Sequence, residues 1–192
     1  SSEIIKTCIR SGIDYIGENR VQEAIKKFSE IEPSLLYNKR MIGHLQTNKI
    51  NKALNVFDTI DSVDTLRLAK KLSVSPKPTK KPLPILLEIN TSGDETKFGF
   101  DPSNDQEILE CLGLDDITVE GLMTLGPTSQ DKQATSESFS LLRKTKESIN
   151  KQVNQEKKLT ILSMGMSNDF QLGIYQGSTM VRLGTALFGP RK

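Results

Sequence analysis

Tryptophan is absent from the 192-residue sequence, histidine occurs once, cysteine twice, and aromatic residues make up only 5% of the chain. Each scarcity excludes something. One histidine and two distant cysteines, Cys8 and Cys111, leave too few soft ligands for a zinc site; their separation fits neither a disulfide framework nor a CxxC motif and points to a reducing compartment. With so few aromatics, leucine, isoleucine and valine must fill the core. Charge of one sign is also lacking: 26 Lys and Arg against 24 Asp and Glu give +2, too small a surplus to hold nucleic acid or an anionic membrane. No apolar run approaches the roughly 18 residues of a membrane span, and no secretory signal opens the chain. The first residue is not methionine; Ser1-Ser2-Glu3 reads as the cap of a helix already under way, with the true amino terminus expected upstream.

What remains is an ordinary soluble composition, 35% hydrophobic and 26% charged, in a length that suits one domain over residues 1–192. The one basic cluster, Lys77 to Lys81, is broken by Pro76, Pro78, Pro82 and Pro84 and reads as a solvated loop. Short β-branched runs at 13–16, 39–42, 56–60, 85–90, 117–123, 159–162 and 179–183 alternate with helical spacing at 2–10, 20–28, 49–54, 62–72, 103–112, 132–153 and 168–176. Asp61 and Asp101-Pro102 stand where helix caps belong, and Gly113 where a helix ends. Repeated β-α units build a parallel sheet. Seven strands after a leading helix fit a TIM-type (β/α)8 barrel lacking its first strand, with an open doubly wound sheet as the alternative.

In either architecture ligands gather beyond the carboxyl ends of the strands. Two such ends stand out. The run 162–169 (LSMGMSND) leaves a strand through glycine and serine, so that backbone N–H groups and a hydroxyl can converge on an anion; the run 181–185 (VRLGT) ends the next strand similarly. If one strand is missing in front, these are strands seven and eight, where barrels commonly hold phosphate. Arg182, between Val181 and Leu183, needs an acceptor or an acid; a structural salt bridge and a ligand contact both satisfy it. Asn19 reads as a helix cap or a ligand contact, His44 as a core histidine or a pocket wall, Ser163 as a loop-orienting or ligand-touching hydroxyl, and Met123 as core. No GxSxG elbow is present, and no acid stands out to orient His44, which disfavours Ser/His/Asp hydrolysis.

Six segments in order, IGENRVQEA, IGHLQTNKI, EINTSGDETKFGF, VEGLMTLG, LSMGMSNDF and GSTMVRLGTALFG, resemble the successive signatures of the pyridoxal 5′-phosphate (PLP) homeostasis family, YggS/PROSC, whose fold is similar to the alanine racemase N-terminal domain. The resemblance implies a non-catalytic PLP carrier, with PLP-dependent apoenzymes as possible recipients, a monomer, and a cytoplasmic location with a mitochondrial address left open. Carried over by residue, it implies that Arg182 faces the pyridine nitrogen, that Ser167, the backbone of Met166 and the N–H groups of Gly184 and Thr185 hold the phosphate, that Asn19, His44 and Met123 line the ring, and that Ser163 supports the loop. It also places the Schiff-base lysine on a first strand ahead of residue 1, so the expected site lacks its covalent anchor; Lys49 and Lys97 are expected to be surface or supporting groups rather than substitutes. The alternative is a racemase-like enzyme using PLP or another phosphate-binding barrel enzyme. Racemisation needs acid/base groups on both faces of the cofactor, and neither that lysine nor the tyrosine-bearing second domain of the racemases is in the sequence.

Overall fold

The computed structural model describes residues 2–94, 96–128 and 131–189. Ser1, part of the expected cap of the first helix, lies outside the described residues. Among the described residues seven strands, β1 (Tyr15–Glu18), β2 (Asn38–Met41), β3 (Thr59–Val63), β4 (Leu83–Glu88), β5 (Ile117–Met123), β6 (Ile161–Met166) and β7 (Met180–Arg182), pair in chain order. Every pairing is parallel. They curl into a nearly closed barrel of the expected TIM type, with seven of the eight strands that such a barrel has. Outside it run α1 (Ser2–Arg10), α2 (Val21–Ser29), α3 (Ile50–Leu54), α4 (Leu66–Val74), α5 (Asp105–Leu112), α6 (Lys132–Gln152), α7 (Phe170–Tyr175) and the short α8 (Thr185–Phe188).

Successive strand residues face opposite ways, and the sequence uses that alternation to separate two environments. Met41, Ile60, Leu87 and Leu162 join Leu68, Leu72, Ile108, Phe139 and Leu142 in the core between sheet and helices. Each fully buried aliphatic side chain there contributes roughly 1.5–3 kcal/mol. Their strand neighbours Arg40, Asp61, Glu88 and Ser163 point to the other side, into the barrel, and all are buried. A smaller cluster of Ile5, Ile9, Ile16 and Ile31 seals α1 and α2 against β1.

Where expectation and structure differ, burial decides. The helix expected at 62–72 begins at Leu66 because all five residues of β3 are buried and the strand runs through Ser62 and Val63. Asp61 is therefore no cap; Thr65 caps α4 by accepting from the Leu68 N–H at 3.2 Å. Likewise Asn104, not Asp101, caps α5, while Asp101 closes the turn before it by accepting from the Ser103 N–H at 2.8 Å. The first strand lies at Tyr15–Glu18 rather than 13–16, and α8 has no counterpart in the sequence reading. Lys77 donates back to the Ser73 and Ser75 carbonyls at the end of α4, and Lys80 and Lys81 stand in solvent, as a proline-broken loop should. Among the described residues no helix is long and apolar enough to cross a membrane.

Candidate functional site

The carboxyl ends of the strands form a mouth with two chemically different rims. On the β6–β7 rim, a side chain at Gly173 would lie 2.8 Å from the Met164 carbonyl, so glycine there lets α7 press directly on β6. Gly165 supports the same approach in a left-handed conformation, φ 95°. The chain consequently turns sharply at Ser167, whose Oγ accepts from the backbone N–H groups of Gly184 and Ala186, each at 3.1 Å. Among the described residues nothing lies within 4 Å of where a Gly184 side chain would be, so this cradle opens outward. Gly184 and Thr185 are both exposed. The second converging N–H belongs to Ala186, which sequence reasoning missed. The Met166 N–H donates to Asp169 Oδ1 at 2.5 Å, which ties the loop down.

Arg182 ends β7 in the middle of the mouth. Its Nη1 donates to the Ser163 carbonyl at 2.8 Å and Ser163 Oγ at 2.7 Å, and its Nη2 to the Thr124 carbonyl at 2.6 Å. Every acceptor is neutral, so of the two readings of Arg182 the structural salt bridge is not found among the described residues. Burial pulls its pKa below the usual arginine value, opposed by the charges of Asp61, Glu88 and Asp169. Ser163, fully buried, thus orients the guanidinium. Met123 is fully buried one register step away on β5, consistent with core.

The β2–β4 rim is acidic. His44 Nδ1 lies 2.8 Å from Asp64 Oδ2, and the imidazole stacks on Phe98 with centroids 3.9 Å apart and 15° between planes. The sequence reading found no acid to orient His44; Asp64 does so, brought up by the strand continuing through Val63. Val63 pairs with Leu87, so Asp64 and Glu88 follow at one level on adjacent strands. Glu88 is 6% exposed, and its carboxyl is pushed up to about 7 by burial first, then by Asp64, against the pull of Arg182 and His44. Deeper in the barrel, Arg40 pairs with Asp61 through two bonds of 2.8 and 2.9 Å and covers the Tyr15 ring.

The remaining expected residues lie at the periphery. Asn19 is exposed beyond β1, and it does not cap α2, whose N-cap position is Arg20, without a side-chain cap bond. Lys97 donates to the Gly126 carbonyl at 3.0 Å and so braces the segment that carries Phe98, a supporting group as expected. Lys49 is half-buried in the short turn before α3. Burial pushes the Cys111 thiol up to about 12, which removes it as a nucleophile.

The alanine racemase N-terminal domain family matches this chain over residues 1–192. A pyridoxal phosphate homeostasis protein of Aquifex aeolicus (strain VF5) is 37% identical over 191 residues, 99% of this chain and 82% of that protein. The Homo sapiens protein of the same name is 38% identical over 188 residues, 91% of this chain and 67% of that one. PipY of Synechococcus elongatus PCC7942, solved with PLP bound, superposes with a TM-score of 0.88 at 32% identity, covering 98% of this chain and 87% of that one. An alanine racemase of Clostridium difficile 630 shares the fold, with a TM-score of 0.82 at 21% identity over 99% of this chain and 48% of that one. The chain belongs to the alanine racemase N-terminal domain family and, within it, to the pyridoxal phosphate homeostasis proteins.

Proposed function

We propose that the chain binds PLP at the mouth of its barrel and acts as a single-domain, non-catalytic carrier in the homeostasis of that cofactor. The observation that carries this reading is the convergence of the Gly184 and Ala186 N–H groups on one oxygen, Ser167 Oγ, on an outward-opening rim. Two backbone donors and a hydroxyl suit a phosphate oxygen, and PipY, a 32% identical relative, was solved with PLP bound. Ser167, Gly184 and Ala186, with Thr185 beside them, would hold the phosphate; the expected Met166 backbone contact drops out, because its N–H is given to Asp169. Arg182, fixed by Ser163 and Thr124, would face the pyridine nitrogen, with His44 and Asn19 beside the ring and Met123 beneath it.

Bound PLP supplies an electron-withdrawing ring whose strength as a sink rises when its nitrogen is protonated. A guanidinium effectively never gives up its proton, so Arg182 at that nitrogen would leave the ring a weak sink, suited to being held and handed on rather than to turnover. The recipients would be PLP-dependent apoenzymes, the carrier a monomer, and the compartment the cytoplasm. The His44–Asp64 pair is the one feature that favours the competing reading, a racemase-like or other phosphate-binding enzyme.

Calorimetric titration of the full chain tests the proposal. PLP should bind saturably, inorganic phosphate should compete, and pyridoxal, lacking the phosphate, should bind much more weakly. Incubation with PLP and D- or L-alanine should give no interconversion; turnover would move the assignment to the enzyme.

A further inference from the structure

We infer that the outer face of α4 is a docking surface for a partner protein that presents an acidic segment with apolar side chains. The inference is independent of the PLP site and of the barrel mouth.

Leu66, Arg67, Lys70, Lys71 and Val74 line a shallow groove of about 580 Å³. Their spacing of three and four puts them on one side of the helix. On the other side Leu68, Ala69 and Leu72 are buried in the core and hold α4 in place. Because α4 joins β3 to β4, the third and fourth of seven strands, the groove lies away from the β1 and β7 edges of the barrel. Every lining residue belongs to α4, so the groove does not depend on what sits between those edges.

Two features of this face run against what a helix turned only to water would choose. Val74 is 82% exposed and leaves apolar surface in solvent. Arg67 stands in the first turn, where the helix dipole disfavours a cation, and no acidic residue in that turn offsets it. Lys71 and Lys77 are different: both complement the carbonyl end of the helix and need no partner to account for them.

Charge is concentrated here. Residues 66–82 hold Arg67, Lys70, Lys71, Lys77, Lys80 and Lys81 and no Asp or Glu, in a chain whose 26 basic and 24 acidic side chains nearly cancel, which leaves the rest of the chain net negative. Among the described residues only Lys70 of these has a carboxylate partner, Glu110 of α5 at 3.4 Å. Pro76, Pro78 and Pro82 stiffen the segment beyond the helix, so its lysines have less conformational freedom to lose on binding.

The chemistry of the occupant follows from that mixture. A carboxylate is the counter-ion this face already accepts, through Glu110. Leu66 and Val74, about 12 Å apart along the axis at 1.5 Å per residue, offer contacts to apolar side chains and nothing to a phosphate backbone. Two such residues are also too few for the continuous apolar stripe with which a helix seats in a bilayer surface. An acidic protein segment with apolar side chains at that separation uses both the cations and the apolar surface between them.

Fluorescence anisotropy with a labelled peptide tests the surface. The peptide is glutamate throughout except for two leucines four positions apart, about 13 Å in an extended chain, and its control has serines for the leucines. At low salt the unaltered chain should bind the leucine peptide saturably, about fivefold tighter than the serine peptide, and more weakly as salt rises; this arm needs no variant. Arg67→Glu with Lys71→Glu should weaken both peptides about tenfold, and Val74→Ser should remove the leucine preference alone. Lys132→Glu with Lys144→Glu, the same charge change at exposed positions of α6, should alter neither; an equal loss there shows attraction to net charge and overturns the site. No saturable binding by the unaltered chain, or equal binding of the two peptides, overturns the proposal, and a leucine preference that survives Val74→Ser overturns its placement in this groove. Tighter binding to phosphatidylserine-containing vesicles or to duplex DNA than to the leucine peptide, lost on the same α4 changes, gives the face to a phosphate-bearing partner and overturns the protein one.

Discussion

Two arginines point into this barrel, and the fold treats them in opposite ways. Arg40, on β2, meets Asp61 on β3 through a two-bond fork, and both side chains are sealed from solvent. Arg182, on β7, has no carboxylate within salt-bridge reach among the described residues and rests on two carbonyls and one hydroxyl. A pair closed on itself contributes to architecture and has little left for a ligand. A guanidinium bonded only to neutral oxygens is held in place with no carboxylate bonded to it, the arrangement that the proposed ring contact requires. The acids divide the same way: Asp61 is spent on Arg40, whereas among the described residues the Glu88 carboxyl bonds to no other group.

The sharpest way to break this contrast is Asp61→Ala. Removing one partner of a buried pair leaves an uncompensated charge, and the expected loss is about 3–5 kcal/mol in chemical denaturation. The double change Arg40→Met with Asp61→Leu should recover most of it. A loss below about 1 kcal/mol would mean that the interior is wet and that Arg40 and Arg182 do not differ in kind.

Glu88→Gln should act in the other direction, and only at high pH. The carboxyl titrates at about 7 in the fold against 4.5 for a free one, so the folded chain binds that proton more tightly than the unfolded chain. Below pH 4.5 both states are protonated and no penalty exists; as pH rises through 7 the fold carries a charge it disfavours. The glutamine variant should therefore match the parent near pH 4.5 and exceed it by about 3 kcal/mol at about pH 9, following from a shift of about 2.5 units. Denaturation curves across that range check it, and identical curves would show that Glu88 is solvated.

The barrel and the meeting of Ser167 with Gly184 were legible in the sequence for the same reason: both are written locally. Alternating apolar runs announce strands, and Ser167 and Gly184 sit in short glycine-containing turns whose geometry follows from adjacent residues. The acidic rim was not legible. Asp64 reads like one more residue of a helix start until β3 is seen to run through Val63, and its partner His44 lies 20 residues away across a strand register. Glu88 reads as the polar end of an apolar strand, and only the pairing of Val63 with Leu87 places it beside Asp64. Ala186 escaped because its side chain says nothing about where its N–H points. Sequence patterns expose side-chain types and local turns; charge pairs across strands need the register.

Ser163→Ala probes how Arg182 is held. It removes one of three acceptors and leaves two carbonyls, so stability should fall by about 1 kcal/mol. PLP affinity should fall several-fold through misorientation of the guanidinium, with inorganic phosphate affinity unchanged. Equal weakening of both ligands would place Ser163 in the phosphate cradle instead.

The smallest effect on stability, and the most specific on binding, belongs to Ser167→Ala. The Gly184 and Ala186 N–H groups bond to Ser167 on an exposed rim, so water can replace the hydroxyl and the stability change should stay under about 0.5 kcal/mol. The hydroxyl is nevertheless the point on which the two N–H groups converge. Its loss should cost PLP about tenfold, or about 1.4 kcal/mol, the range of one hydrogen bond to a charged group. Pyridoxal, with no phosphate to place there, should bind the variant and the parent equally. If Ser167→Ala weakened pyridoxal as much as PLP, the rim would be reading the ring rather than an anion, and Ser167 would not belong to a phosphate cradle.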